Sequence, residues 1–316
     1  MNNETHRLVP AVVFLLLSGC AFTTHPTKTE RITSPRTPTN WSDALSGSTQ
    51  LEWEPVLSAK WKVDRKGLIN LERAEAKDLP KDEMDIVLPV HVLRHPTRGT
   101  FIIDTGISQG LKDGSGGGIG WPVSSFLGAM KPEESLASIL KRQPAPLAGV
   151  FFTHLHLDHV LGLPDVPAGT PLYTGPGETT PTSFQNAFLR GTYANLFKGQ
   201  QATTELDVSQ GVAIGSVKKA IDFFGDGSLW VIASPGHTPG SLAFVANTSK
   251  GFVLFAGDTS HTRWGWEHQV EPGEFTGDHT QNVDSLSQLA SVAKELSAVT
   301  VMTGHEWEPA GPIVAK

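Results

Sequence analysis

The stretch FFTHLHLDHV, residues 151–160, places three histidines and an aspartate within six positions directly after an apolar run. His154 and His156 are two residues apart, so on an extended chain that leaves a strand both imidazoles point to the same side. They are therefore expected to be two ligands of one metal ion. Asp158 and His159 follow where the chain is expected to turn, which suits a second ion beside the first. A chance cluster on a solvated loop is the alternative, whereas core packing would require a partner for each of four buried polar groups.

Three further residues of ligand type follow apolar β-runs elsewhere in the chain. His237 lies in SPGHTPGS after LWVIAS, Asp258 ends FVLFAGD, and His305 lies in TGHE after VTVMT. Strand ends line up along one rim of a sheet, so these side chains are candidates for the same site. Histidine and carboxylate ligands without thiolate suit zinc or another divalent first-row ion. The sequence therefore predicts two divalent metal ions, with zinc as the default.

The region from residue 51 to 316 is expected to form the folded domain, because its pattern alternates strands with helices. Two β-rich runs, 86–96 and 100–106, flank a turn with Pro96 and Gly99 and so predict a hairpin. The pattern further predicts strands at 147–152, 229–246, 252–258 and 299–306, and helices at 133–142, 183–197 and 284–298. This order indicates the α/β class, a sandwich of buried sheets with outer helices.

The overall charge argues against a nucleic-acid partner. The formal net charge is −7, and charged residues make up 18% of the 316 positions. A protein that binds nucleic acid usually presents a basic face, and no basic cluster stands out in this sequence. Hydrophobic residues make up 39% of the chain, which is enough for a large core. A folded protein that acts on a small molecule is therefore expected, and its oligomeric state stays open.

The N-terminus predicts export and a lipid anchor. Residues 8–17, LVPAVVFLLL, form an apolar run too short to span a bilayer but suited to a signal peptide. The tetrad Leu17-Ser18-Gly19-Cys20 resembles a bacterial lipoprotein signal, which implies a signal peptide at 1–19 and acylation of Cys20. Ala21, rather than an aspartate, favours the outer membrane facing the periplasm. Residues 20–50 are rich in Thr, Ser and Pro and are expected to be a flexible tether. An ordinary cleaved signal or a buried N-terminal helix is the alternative.

Taken together, the motifs resemble the metallo-β-lactamase fold superfamily over about residues 60–310. The resemblance rests on Asp104 in FIIDTG, the HxHxDH stretch, His237, Asp258 and His305, in that order. It implies a four-layer αβ/βα sandwich with two metals at one edge of the paired sheets. It also implies ligand roles by position: His154, His156 and His237 for the first metal, Asp158, His159 and His305 for the second, and Asp258 for both. Asp104 would then brace the ligand loop.

The resemblance also implies a reaction. Two ions can share a water and lower its pKa to about 7, so that a metal-bridging hydroxide attacks a carbonyl carbon. Asp158 would be a catalytic residue that passes a proton to the leaving alkoxide. His261 stands where lactonases of this superfamily often have a tyrosine that contacts the substrate. It is therefore a candidate catalytic substitute for that tyrosine.

The local context of the motifs is most similar to the N-acyl-homoserine lactonase group. A small ester or lactone is therefore the expected substrate. An exported organophosphate or aryl ester hydrolase of the same superfamily is the main alternative. β-Lactamase activity and a non-catalytic metal-binding module are further alternatives, although a module that had lost catalysis would be expected to lack ligands, and all seven are present.

Overall fold

A computed structural model describes residues 25–47, 49–121, 123–179 and 184–314, without the side chains of residues 184–188. The predicted signal peptide at 1–19 and Cys20 lie outside the described residues. No described helix is both long enough and apolar enough to cross a bilayer.

Two sheets form the centre of the described structure. The first sheet contains β1 (Thr27–Glu30), β2 (Glu52–Asp64), β3 (Glu83–His95), β4 (Gly99–Ile103), β5 (Lys131–Pro132), β6 (Leu147–Phe151), β7 (Leu172–Thr174) and β8 (Thr203–Leu206). Its strand order is β1-β8-β7-β6-β4-β3-β2-β5. The second sheet contains β9 (Val212–Ile214), β10 (Val217–Asp222), β11 (Leu229–Ala233), β12 (Leu242–Thr248), β13 (Gly251–Gly257) and β14 (Thr300–Thr303). Its order is β14-β13-β12-β11-β10-β9.

Helices cover the outer faces of both sheets. They are α1 (Trp41–Ala44), α2 (Arg65–Leu68), α3 (Gln109–Lys112), α4 (Val123–Phe126), α5 (Leu136–Lys141), α6 (Leu157–Val160), α7 (Phe184–Leu196), α8 (Arg263–His268) and α9 (His279–Leu296). Helix α9 begins at the N-cap Asp278, whose side chain accepts a hydrogen bond from the Gln281 amide. Its buried apolar residues, Leu286, Leu289, Val292 and Leu296, recur at helical spacing and face the second sheet.

Side-chain alternation in the strands builds the four layers. In β11, Leu229 and Val231 belong to the apolar cluster between the two sheets. Trp230 and Ile232 belong to the cluster under α9. Successive residues of a strand point to opposite faces, so one strand contributes to two core layers. A third apolar cluster packs the first sheet against its own helices. The predicted α/β sandwich of four layers is confirmed.

The predicted hairpin is also confirmed. Strands β3 and β4 pair antiparallel, with Arg94 opposite Thr100. The sequence did not predict β2, although it is as long as β3 and pairs with it along nearly its whole length.

The prediction of a flexible tether over residues 20–50 is wrong for the part that the structure describes. Strand β1 pairs in parallel with β8, and Trp41 is fully buried against Trp230, with ring centroids 6.3 Å apart. The Trp230 indole N–H donates to the Ala44 carbonyl at 3.2 Å. Apolar burial of this single tryptophan, together with backbone pairing, holds a segment whose Thr, Ser and Pro content indicated a tether.

Candidate metal centre

The predicted ligands all follow strands whose carboxyl ends meet at one edge of the sandwich. Strands β4 and β6 are parallel, as are β13 and β14, and β11 runs in the same direction as β13 because β12 is antiparallel to both. At this edge the Leu242 amide of the second sheet donates to the Thr153 carbonyl of the first at 2.7 Å. The two sheets are therefore joined where the ligand loops begin.

Three histidines form the first cluster. The Nε2 atom of His237 lies 3.1 Å from His154 Nε2 and 2.9 Å from His156 Nδ1. The three ligand atoms lie within 4.8 Å of one another. Burial lowers the pKa of all three imidazoles, to about 4 for His156. They are therefore neutral near pH 7 and each can direct a lone pair to a common point.

The second cluster contains Asp158, His159 and His305. The Oδ2 atom of Asp158 lies 3.4 Å from His305 Nε2 and 3.8 Å from His159 Nε2. Asp158 and His159 lie in the short helix α6, which turns the chain immediately after His156. This turn separates the two ligand pairs of the HxHxDH stretch, as the sequence predicted.

Asp258 lies between the two clusters. Its Oδ2 atom is 3.6 Å from His154 Nε2 and 3.4 Å from His237 Nε2 on one side. On the other side it is 3.4 Å from His159 Nε2 and 3.2 Å from His305 Nε2. Burial favours the protonated carboxyl, but the surrounding histidines outweigh it and hold the pKa of Asp258 well below its usual value. An ionised carboxylate in this position can contact both clusters.

These residues fit a pair of divalent ions. His159 Nε2 and Asp258 Oδ1 are buried and have no hydrogen-bond partner, and both residues belong to groups that could hold a metal ion. Unpartnered buried polar atoms are costly in a folded protein. Bound cations would satisfy them, and a set of imidazoles and carboxylates suits zinc or a similar first-row ion.

Asp104 braces the HxHxDH loop. Its carboxylate accepts hydrogen bonds from the Thr153 amide at 2.9 Å and from the Thr153 hydroxyl at 2.9 Å. It also contacts His159 Nδ1 at 2.8 Å, which leaves Nε2 of that ring facing Asp258. Burial would lower the pKa of His159, but Asp104 and the other nearby carboxylates raise it well above its usual value. A carboxylate behind a histidine ligand fixes the ring and increases its basicity.

His261 lies in the same centre. Its Nε2 atom is 3.1 Å from Asp258 Oδ2, and its Nδ1 atom is 3.2 Å from the Leu68 carbonyl. The carbonyl can only accept, so Nδ1 carries the proton and Nε2 faces Asp258. The structure thus places the two predicted catalytic residues at the candidate ligand clusters, Asp158 within the second cluster and His261 beside Asp258.

A cavity of about 590 Å³ opens over the centre. Asp158, Asp258 and His261 lie at its floor, and its walls include Trp61, Ile86, Phe126, Leu189 and Phe275. This volume and apolar lining are typical of a site for a small organic molecule.

One buried polar residue at the cavity was missed by the sequence analysis. Glu178 is 2% exposed and follows β7 at the same edge of the first sheet. The rule that found His237 and His305, a chemically active residue just after a strand, would also have found it. Strand β7 has only three residues, so its apolar run is too short to be recognised as a strand in the sequence.

Known proteins resemble this chain in sequence and in fold. An N-acyl homoserine lactonase (AttM) of Azorhizobium caulinodans is 27% identical over 228 residues, which cover 71% of this chain and 83% of that protein. A gamma-lactamase (MBL2) of Gibberella moniliformis is 30% identical over 139 residues, 41% of this chain and 57% of that protein. The crystal structure of a quorum-quenching N-acyl homoserine lactone lactonase shares the fold, with a TM-score of 0.59, 18% identity and coverage of 82% of this chain and 93% of the other. Residues 89–305 match the family model of the metallo-beta-lactamase superfamily, and the chain belongs to that superfamily.

Proposed function

We propose that this protein is a dinuclear metal hydrolase that opens ester-type bonds, with a lactone as the preferred substrate and zinc as the metal. The observation that carries the proposal is the convergence of six candidate ligand residues around a seventh, Asp258, at an apolar cavity. The relatives that are N-acyl homoserine lactonases support the choice of a lactone.

The residues of the site can divide the reaction between them. When bound, two divalent ions supply Lewis acidity, which lowers the pKa of water and polarises a carbonyl oxygen. The apolar walls hold the organic part of the substrate and exclude water from it. Asp158 accepts a proton from the attacking water on its carboxylate and delivers it to the leaving alkoxide. The water oxygen bonds to the carbonyl carbon and the bond from that carbon to the leaving oxygen breaks. A carboxylate and an alcohol are formed, and the second proton of the water is released to solvent.

Replacing Asp158 by Asn tests the proton transfer. Asparagine keeps the shape of the side chain but cannot hold the proton, so kcat should fall by about 100-fold or more. The measurement is kcat at saturating lactone with metal content determined on the same sample. Full turnover in a variant that holds two ions would show that Asp158 carries no proton.

The function is tested by metal analysis combined with a substrate panel. About two ions per chain and fast opening of acyl-homoserine lactones or simple lactones are expected. Activity confined to aryl esters or organophosphate triesters would assign the protein to that alternative, because aromatic walls also suit aryl groups. Activity confined to lactams, β-lactams included, would favour the alternative suggested by the gamma-lactamase relative. Two tightly bound ions without any turnover would indicate a metal-binding module.

We also propose that the protein is an exported lipoprotein, held at the outer membrane through acylated Cys20 and facing the periplasm. The apolar run at 8–17 and the tetrad that ends at Cys20 support this proposal. Labelling with a radioactive fatty acid tests it: the native protein should be labelled and Cys20→Ala should not. Equal labelling of both, or of neither, would contradict the lipid anchor.

A further inference from the structure

Glu178 is a buried carboxylate that is not one of the seven candidate ligands. One oxygen, Oε1, accepts a hydrogen bond from the Leu155 amide at 2.9 Å. The other, Oε2, accepts from the Thr238 hydroxyl at 2.8 Å and from the Gly240 amide at 2.9 Å. Burial raises the pKa of Glu178 to about 7, against the opposing effect of these three donors. All three partners donate to the carboxylate. An amide, with only one acceptor oxygen, could not accept from all of them in the same way.

The three donors belong to two ligand loops. Leu155 lies between His154 and His156, and Thr238 follows His237 directly. Glu178 therefore joins the loop of the first sheet that carries two ligands to the loop of the second sheet that carries the third. These three histidines are the cluster whose ligand atoms lie within 4.8 Å of one another.

The backbone around Glu178 is shaped for this contact. A Cβ atom on Gly240 would lie 2.6 Å from the Glu178 Cβ and 2.8 Å from its amide nitrogen. A Cβ on Gly175, just after β7, would overlap the Gly240 carbonyl oxygen. Only glycine at both positions lets the chain after β7 approach the His237 loop closely enough for the carboxylate to bridge the loops.

We propose that Glu178 is a positioning residue for the metal held by His154, His156 and His237. It orients the two loops that carry these ligands, whereas Asp104 contacts the ring of His159, a ligand of the other cluster. The inference rests on the proposed two-metal function and adds a residue that sets the affinity of one of the two ions.

The variant Glu178→Gln tests the hydrogen bonds of the carboxylate without changing the packing, because glutamine keeps the side-chain volume. Glutamine has one oxygen for three donors, so at least one donor would face its NH2 group. Loss of an outer partner of this kind typically weakens metal binding by 10- to 100-fold. We expect the affinity to fall by this factor for the ion of the three-histidine cluster and to stay unchanged for the other ion.

A matched control is Asp165→Asn. Asp165 Oδ2 accepts from the Gln109 and Ala137 amides at 2.6 and 2.9 Å, so it too joins two segments through their backbone. It does not line the cavity over the metal centre. A second variant, Thr238→Val, removes a single donor and leaves the Glu178 carboxyl group in place. This variant should lower the affinity for the same ion by a smaller factor than Glu178→Gln does.

The experiment is stepwise removal of Co²⁺ from the full chain by a chelator, followed by absorption spectroscopy. The absorption band of the ion in the three-histidine cluster is the one lost in His237→Asn and retained in His305→Asn. Glu178→Gln should lose this band at a lower chelator concentration than the native protein does. Asp165→Asn should behave as the native protein. Two ions held as tightly as in the native protein would overturn the inference. Equally weakened binding of both ions, together with a lowered melting temperature, would also overturn it, because that result indicates a structural role. A native protein that holds no ions would instead overturn the proposed function, and this inference with it.

Discussion

At the residue scale, Asp258 organises the centre. Its Oδ2 atom has histidine nitrogens from both clusters within 3.6 Å, while its Oδ1 atom is buried without a partner. The histidines therefore surround Oδ2, whereas Oδ1 is confined by packing alone. Gly304 lies against Oδ1, where a Cβ atom would overlap it.

Replacing Gly304 by Ala tests how strictly Asp258 must be placed. The added methyl group would push the carboxylate from its position between the clusters, so we expect metal affinity to fall by about 10- to 100-fold. Metal content after dialysis against a competing chelator is the measurement. Gly120→Ala is the control, because a Cβ there meets nothing within 4 Å. Native metal content in Gly304→Ala would show that the centre tolerates a shifted carboxylate.

His261 is the other residue whose role can be tested singly. Its Nδ1–H faces the Leu68 carbonyl, and its Nε2 faces Asp258 at the cavity floor. If it acts on the substrate, His261→Gln should lower kcat by about 100-fold with two ions still bound. His268→Gln is the control, because the His268 ring stacks on Trp264 and does not line the cavity. A loss of one ion from His261→Gln would make the residue a ligand instead, and unchanged kinetics would give it no role.

At the scale of elements, the segment before β2 is part of the fold. Strand β1 extends the first sheet at its β8 edge, and α1 covers the far face of the second sheet beside α9. The segment therefore contacts both halves of the sandwich. It contributes burial as well as backbone pairing, so its loss should affect the stability of the domain.

Trp41→Ala measures that contribution. Removing a fully buried tryptophan should lower the free energy of unfolding by about 3–5 kcal/mol. Urea unfolding followed by circular dichroism gives the value. Trp121→Ala is the matched control, since Trp121 is 85% exposed and should change stability by about 0.5 kcal/mol or less. Equal small effects of both substitutions would mean that residues 25–47 contribute little to stability.

At the scale of the whole molecule, the candidate metal centre lies where the two sheets meet. Four candidate ligands follow β6 of the first sheet, and three follow strands of the second. Ions bound between them would hold the two halves of the sandwich together. Metal binding and folding are therefore expected to be linked.

Removing the metals should lower the stability of the entire domain. An ion present at about a thousand times its Kd stabilises the folded state by about 4 kcal/mol. Calorimetry with and without chelator should show the melting temperature falling by about 2–4 °C for each kcal/mol lost. Chelator saturated with Ca²⁺ is the control. A melting temperature that does not respond to removal of bound ions would show that they do not link the sheets.

Sequence alone indicated the candidate ligands and determined the layers of this protein. The ligand residues follow apolar strands, and period-two alternation, as in residues 229–233, specifies which face of a strand is buried. Both patterns are local, so they can be read along the chain. The tertiary structure alone decided the contacts between distant residues that no motif links. Glu178 bonds Gly240 across 62 positions, and Trp41 packs on Trp230, yet neither residue has a local pattern that names its partner. The composition of residues 20–50 indicated a tether because the burial of one tryptophan depends on a surface formed by strands far away in the sequence.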